Sequence, residues 1–299
     1  MSQLWGYTKY PFYFVSGLLT VAGSALYYYQ NDIIYPRNVP LGSRTDVPKP
    51  SRFAVEDYEE ISLPTPDGET LSSFLIRPAN PSQAQPVTIL MLHGNAGNIG
   101  HRVPIAKVLA NEYHCTVFML EYRGYGLSTG IPTEAGLVID SQTGLDYLRS
   151  RKDLADTKLV VYGQSIGGAV AIDLVSKNQE AGDIAGLILE NTFLSIAKMI
   201  PAVMPAAKYL IPLCHEYWRS ELTIPKITKV PILFLSGLRD EIVPPSHMLG
   251  LFKLARSKAV MWKELPNGDH NSTVIEPGYF AYIEDFLRRY VYPTSTVRL

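Results

Sequence analysis

Gly163-Gln164-Ser165-Ile166-Gly167 sets a serine in the middle of a short glycine-bounded turn. The apolar run KLVVY leads into it and the small-residue run GGAVAIDLV leads out. A strand that turns sharply into a helix at this spacing lifts a serine hydroxyl above a sheet, where it can attack a carbonyl carbon. Glycine at 163 and 167 leaves room for strand and helix to cross closely. The start of the helix also favours negative charge on Ser165 and its adducts. An ordinary Gly-Ser turn is the competing reading, and the flanking strand and helix argue against it.

A serine hydroxyl is a weak nucleophile until a base takes its proton. Six histidines are available. His101 and His114 flank a helix and read as capping or solvent-side residues, His215 lies in a Pro-rich insertion, and His247 opens a helix. His270 follows the last strand-like run, AVMWKEL, in the turn-rich loop PNGDHN. The order serine, acid, histidine along the chain selects His270 as the base. A third group must hold the imidazole in one tautomer and stabilise its charged form. Asp240, in the loop SGLRDEIVP after the strand VPILFLS, is the leading candidate; Glu241 and Glu190 compete with it.

The oxyanion of a tetrahedral intermediate needs two donors. One expected donor is the backbone N–H of Ile166. The other is the N–H of Asn95 in the loop His93-Gly94-Asn95-Ala96-Gly97-Asn98, which follows the strand VTILMLH. The glycines of that loop do not have dinucleotide-binding spacing, and no phosphate-loop lysine follows. No H-E-x-x-H pair or cysteine cluster points to a metal. The expectation is chemistry without cofactor or metal.

These residues need a scaffold that brings distant loops to one edge. Eight strand-like runs supply it: DYEEISL and LSSFLIR, joined by the turn signal PTPDGET, then VTILMLH, CTVFMLE, KLVVYG, IAGLILE, VPILFLS and AVMWKEL. Helix-period segments alternate with the later ones. The expected fold is α/β, a mostly parallel eight-stranded sheet with helices on both faces, and such sheets bind ligands at the carboxyl ends of their strands. Residues 193–229 interrupt the rhythm with an apolar insertion broken by prolines at 201, 205, 212 and 225. An insertion of that length is expected to be a small cap or lid. Its Met199, Met204 and Trp218 are expected to line a substrate pocket for an apolar acyl chain.

The 299 residues, 46% of them hydrophobic, can form one large catalytic domain, placed at 57–299. The 27 basic and 28 acidic residues nearly cancel and form no block, which points away from nucleic acid. Two cysteines argue against a secreted disulfide framework. Residues 11–30 carry no charge and are mostly apolar or aromatic, with Trp5, Tyr7, Tyr10, Phe12 and Tyr13 about one end and tyrosines at 27, 28 and 29 at the other; a cleaved signal peptide and a buried helix of the domain are the competing readings. This run is expected to be a transmembrane signal anchor holding the protein to membrane lipid, with 31–56 as a polar, Pro-rich linker. Arg37, Arg44 and Lys49 beyond the run, and the sequon Asn271-Ser272-Thr273 beside His270, favour a cytosolic catalytic domain on the endoplasmic reticulum or another endomembrane or plasma membrane.

Taken together, HGNAGN, EYRGYGLSTG, GQSIGG, ILENTF, SGLRDEIVPP and PNGDHN resemble the bud-emergence-related serine hydrolases of fungi and their animal relatives, a branch of the α/β-hydrolase superfamily. The resemblance runs over residues 58–290. It implies the α/β-hydrolase fold, a triad of Ser165, Asp240 and His270, and an oxyanion position at Asn95. It also implies membrane association and hydrolysis of an acyl bond in a lipid or protein; some members remove fatty acyl groups from protein cysteines. Where this chain has Glu121, in a scaffold turn, the family often has Asp. The alternative is a non-catalytic scaffold or polarity factor on a degenerate hydrolase fold, which a complete triad argues against.

Overall fold

The computed structural model describes residues 2–292. A long helix, α1 (Ser2–Ile34), leads into the domain. The first strand pair, β1 (Tyr58–Pro64) and β2 (Thr70–Ile76), is an antiparallel hairpin. Then come β3 (Val87–Leu92), α2 (Ile99–Asn111), β4 (Thr116–Leu120), α3 (Glu134–Ser150), β5 (Lys158–Gln164), α4 (Ile166–Asn178) and β6 (Ile184–Glu190). The insertion holds α5 (Ile196–Val203), a 3-10 stretch at Pro205–Leu213 and the short α6 (Ser220–Thr223). The chain closes with β7 (Ile232–Gly237), α7 (Pro245–Leu254), β8 (Val260–Leu265) and α8 (Tyr279–Tyr290).

All eight expected strands join one sheet in the order β1-β2-β4-β3-β5-β6-β7-β8. The β1–β2 and β2–β4 pairs are antiparallel; every pair from β4 onward is parallel. The central strands are apolar throughout because both faces are covered. Every residue of β3, β4 and β7 is buried. The sheet divides the core in two. On one face pack Leu137, Leu145, Val170, Leu174 and Leu251 of α3, α4 and α7. On the other pack Val103, Ala106, Ile283 and Phe286 of α2 and α8.

Register brings the working loops together. Leu92 at the end of β3 pairs with Gly163 of β5, Gln164 pairs with Glu190 of β6, Glu190 pairs with Leu235 of β7, and Gly237 pairs with Leu265 of β8. The loops after β3, β5, β6, β7 and β8 therefore leave the sheet along one edge.

Helix α2 begins at Ile99, four residues before the apolar helix-period stretch VPIAKVLANEY. Asn98 caps it: its side chain accepts the His101 N–H while its own N–H donates to His101 Nδ1 at 3.3 Å. This reciprocal cap holds the first turn in spite of Pro104 inside the helix.

The expected transmembrane segment at 11–30 lies within α1, but its spanning role is not supported. Among the described residues, no helix is long and apolar enough to cross a membrane. Ser16, Gly17, Thr20, Gly23, Ser24 and the tyrosines at 27, 28 and 29 dilute the apolar run. The helix end is also docked on the domain. Gln30 Nε2 donates to the Leu213 carbonyl at 3.0 Å, and Gln30 Oε1 accepts the His215 N–H at 2.9 Å. The side chains of Trp5 and Tyr7, expected in an aromatic belt, lie outside the described residues. Residues 31–56, expected as a tether, run against the domain: Tyr35 is fully buried, and Asn98 Nδ2 donates to the carbonyls of Ser43 and Asp46 at 2.9 Å each.

Candidate active site

Ser165 is the single residue between β5 and α4, with φ 54° and ψ −120°. A non-glycine residue at positive φ is strained and persists only where its surroundings hold it. Here the Ser165 N–H donates to the Glu190 carbonyl at 2.9 Å, and Thr192 Oγ1 donates to the Ser165 carbonyl at 2.7 Å. The glycines are demanded by contact rather than by dihedral. A Cβ on Gly163 would lie 2.3 Å from the Gly167 carbonyl oxygen, and one on Gly167 would lie 2.1 Å from the Leu92 carbonyl oxygen.

His270, in the loop after β8, presents Nε2 to Ser165 Oγ at 3.0 Å and Nδ1 to Asp240 Oδ2 at 2.8 Å. With the carboxylate accepting from Nδ1–H, Nε2 is the nitrogen free to take the serine proton. Asp240 comes from the loop after β7. Its other oxygen, Oδ1, accepts the N–H groups of Ile242 (2.9 Å) and Val243 (2.7 Å), which aim the carboxylate at the imidazole. All three side chains are largely buried.

The competing carboxylates lie elsewhere. Glu190 is fully buried beneath the serine turn; it accepts from the hydroxyls of Tyr162 and Tyr279 and from Gln164 Nε2 at 3.1 Å. Burial pushes its carboxyl above the usual carboxylate range, against the pull of the two hydroxyls. Glu241 reaches only the His270 backbone N–H, at 3.4 Å.

Asn95 lies beside the serine with both ends of its side chain engaged. Oδ1 accepts from Tyr125 Oη at 2.6 Å, and Nδ2 donates to the Ile34 carbonyl. These bonds hold the loop that carries Asn95 against Tyr125 and the end of α1. Ile166 opens α4, so its N–H is one of the first-turn donors without an intrahelical partner. His93 is buried behind this loop, its Nε2 3.0 Å from Glu121 Oε1, and Glu121 Oε2 accepts the Ile99 N–H at 3.0 Å. Glu121 thus clasps the start of α2 and has no place among the reacting groups.

A cavity of about 270 Å³ opens over Ser165 and His270, lined by Gly94, Asn95, Ile166 and Asn271 and walled by Phe193, Ile196, Met199, Ile242 and Val243. Beyond Ile196 and Met199, which both cavities share, lies a second one of about 400 Å³. Its walls are the end of α1 (Leu26, Ile33, Ile34) and the insertion (Ile200, Val203, Met204, Leu210). Of the pocket residues expected from sequence, Met199 borders both cavities and Met204 borders the second. Trp218 borders neither. It is buried, with its indole N–H donating to Tyr35 Oη at 2.9 Å, and Tyr35 in turn bonds Glu216.

Several residues of this site escaped the sequence reading, among them the polar Gln164, Arg102 and Asn191. Gln164 and Arg102 line the cavity. Asn191 (φ 44°) ties the ends of β6 and β7 to the loop that carries His270: its Oδ1 accepts the Gly237 N–H at 2.8 Å, and its Nδ2 donates to Thr273 Oγ1 at 2.9 Å. An asparagine directly after a strand is the one local signal that marks such a residue.

A strand-and-helix sheet carrying a serine turn, a histidine loop and an acid loop at one edge defines the class, and the comparisons name the branch. The chain belongs to the α/β-hydrolase family. A family model described as serine aminopeptidase, S33, matches residues 83–228. The protein bem46 of Schizosaccharomyces pombe is 48% identical, over 96% of this chain and 95% of its own length. An uncharacterized membrane protein of Saccharomyces cerevisiae is 40% identical, over 95% of this chain and 98% of its own. Among solved structures, an esterase of Pyrococcus furiosus superposes with a TM-score of 0.65 at 19% identity, covering 81% of this chain and 95% of that one; this is a likeness of fold.

Proposed function

We propose that the protein is a serine hydrolase that cleaves an ester or thioester acyl bond through an acyl-enzyme on Ser165. The observation that carries this reading is the continuous contact from Asp240 through His270 to Ser165 Oγ, at 2.8 and 3.0 Å. His270 Nε2 takes the hydroxyl proton as Oγ attacks the carbonyl carbon, and Asp240 stabilises the imidazolium. The N–H groups of Asn95 and Ile166 receive the oxyanion. His270 returns the proton to the leaving alcohol or thiol, and water then frees the acyl group by the same steps in reverse order of partners. A non-catalytic scaffold would have no use for a strained serine held against a histidine.

The apolar cavity beyond Met199 suits the chain of a lipid ester or of a fatty acylated protein. In this reading the enzyme works at a membrane surface. Phe14, Leu18, Leu19 and Val21 of α1 are exposed, and one relative is named as a membrane protein. Exposed apolar side chains on a helix of modest hydropathy suit a helix lying in the interface rather than across it. Asn271 lines the mouth of the catalytic cavity, so a glycan there would block it, which favours the cytosolic side.

A fluorophosphonate probe tests the chemistry. The full chain is expected to be labelled, and Ser165→Ala is expected to lose the label with its melting temperature retained. Undiminished labelling of Ser165→Ala would sink the assignment.

A further inference from the structure

Among the described residues that line the cavity over Ser165, one carries a permanent positive charge, Arg102. Arg102 stands in the first turns of α2, and its guanidinium lines the cavity together with Ser165, His270 and Gln164. A Cβ built on Gly94 would meet Ser165 Cβ at 3.6 Å and Arg102 Nη2 at 3.7 Å, so the guanidinium and the nucleophile flank the same glycine. Arg102 is scarcely bonded. Nη2 reaches the Ala96 carbonyl at 3.5 Å, a marginal contact, and Nε is buried with no partner. Among the described residues no carboxylate lies within 4.0 Å of it, whereas Arg123 pairs with Asp67 and Asp140, Arg149 with Asp183, and Arg151 with Glu59 and Asp153.

A guanidinium carries five donors in a planar fork that matches a carboxylate or a phosphate. Leaving such a group half-buried without a counter-charge is unfavourable unless something else supplies one. Glu190 acts on it only across a distance: the Arg102 charge is felt at the Glu190 carboxyl, but that carboxyl lies beyond ion-pair range and spends its hydrogen bonds on Tyr162, Tyr279 and Gln164, so the donors of the fork stay open. We infer that the substrate brings the counter-charge: Arg102 receives a carboxylate or phosphate oxyanion of the molecule whose acyl bond Ser165 attacks. The opposite wall of the cavity is apolar, from Phe193, Ile196 and Met199. The substrate class is therefore an acidic amphiphile, an ester or thioester with an anionic group close to the scissile bond and an apolar portion on its other side. This inference rests on the serine hydrolase reading and names the substrate for it. Arg102 acts on binding and selectivity and takes no part in bond making.

The test uses the full chain. Decanoate and decanol, equal in chain length and different in charge, compete with fluorophosphonate labelling of Ser165. Decanoate is expected to protect at a concentration about 10- to 100-fold lower than decanol, the range for one charge-assisted contact. Arg102→Gln should remove that difference, and Arg102→Lys should retain part of it. Two ester pairs then locate the charge. p-Nitrophenyl hydrogen glutarate against its methyl ester reports an anion on the acyl side; 4-(butyryloxy)benzoate against its methyl ester reports one on the alcohol side. One pair should show a kcat/KM preference for the anion that falls to about one in Arg102→Gln. Equal protection by decanoate and decanol in the wild type overturns the inference, as does a charge preference that survives in Arg102→Gln. If Arg102→Gln does not fold, the wild-type comparison and Arg102→Lys decide. Failure of the wild type to label at all would instead remove the hydrolase reading on which the inference stands.

Discussion

Asp240 Oδ2 lies 2.8 Å from His270 Nδ1, while Glu190, which ends the neighbouring strand, is closed off by two tyrosine hydroxyls. The two carboxylates should therefore separate cleanly by mutation. Asp240→Asn removes the acceptor that holds the Nδ1–H tautomer, and turnover of p-nitrophenyl butyrate should fall about 10³- to 10⁴-fold with stability little changed. Glu190→Gln alters a buried network beneath the serine turn, and its main effect should be a lower melting temperature. A mild Asp240→Asn and a catalytically severe Glu190→Gln would reverse the assignment.

Gly167 tests the crossing of β5 and α4. Its Cβ would stand 2.1 Å from the Leu92 carbonyl oxygen, a backbone atom with nowhere to go. Gly167→Ala should cost about 3 kcal/mol or more, at the upper end for overpacking. Gly17→Ala is the control, since its Cβ meets nothing within 4 Å. Urea midpoints of the two variants make the comparison, and equal midpoints would contradict the packing described.

The 400 Å³ cavity should be read out as chain length. Across p-nitrophenyl esters from acetyl upward, below their micelle concentrations, kcat/KM should rise by about 0.8 kcal/mol per CH₂, roughly fourfold, until the cavity is full. Ile200→Trp places bulk in that cavity and should end the rise at a shorter chain. Trp218→Ala should leave the length optimum in place and instead lower stability by about 3–5 kcal/mol, the range for a buried aromatic truncated to alanine. A flat series in the wild type would remove the cavity from the binding site.

Acid should expose one ion-pair cluster. Hydrogen bonds from Arg151, and with them Arg77, pull the Glu59 carboxyl down from 4.5 to about 2. A carboxyl lowered on folding contributes stability that is present above its unfolded value and lost as pH falls through its folded value. The wild type should thus be more stable than Glu59→Gln at pH 7, and the gap should narrow as pH drops from 4.5 towards 2. Glu59 is partly exposed, so solvent screening keeps the gap small. Melting curves of both proteins at pH 7 and pH 3 measure it; an unchanged gap would mean that the pairing does not persist in solution.

Much of the site was legible along the chain because its information is local. The serine turn needs only a strand, five residues and a helix in succession, and all of these are neighbours in sequence. The central strands show as apolar runs because burial on both faces leaves almost no polar position, and the edge strands show by alternation. His270 follows from chain order and its place after the last strand. Which carboxylate serves it does not: Asp240, Glu241 and Glu190 are equally acidic on paper, and only strand register and two loop N–H groups turn Asp240 towards the ring. Trp218 looked like a pocket residue because the insertion is apolar throughout, and periodicity cannot say which apolar side chain meets Tyr35 and which meets a cavity. The run at 11–30 read as a span by its lack of charge, but hydropathy is set by its serines, glycines and tyrosines, and the docking of Gln30 by a partner 183 residues away. Arg102 is the plainest case. Composition counts it as one base among 27, and only the folded chain sets it near Ser165 with no carboxylate of the described residues in ion-pair contact, because pairing is a matter of distance in space and distance in space is what the tertiary structure decides.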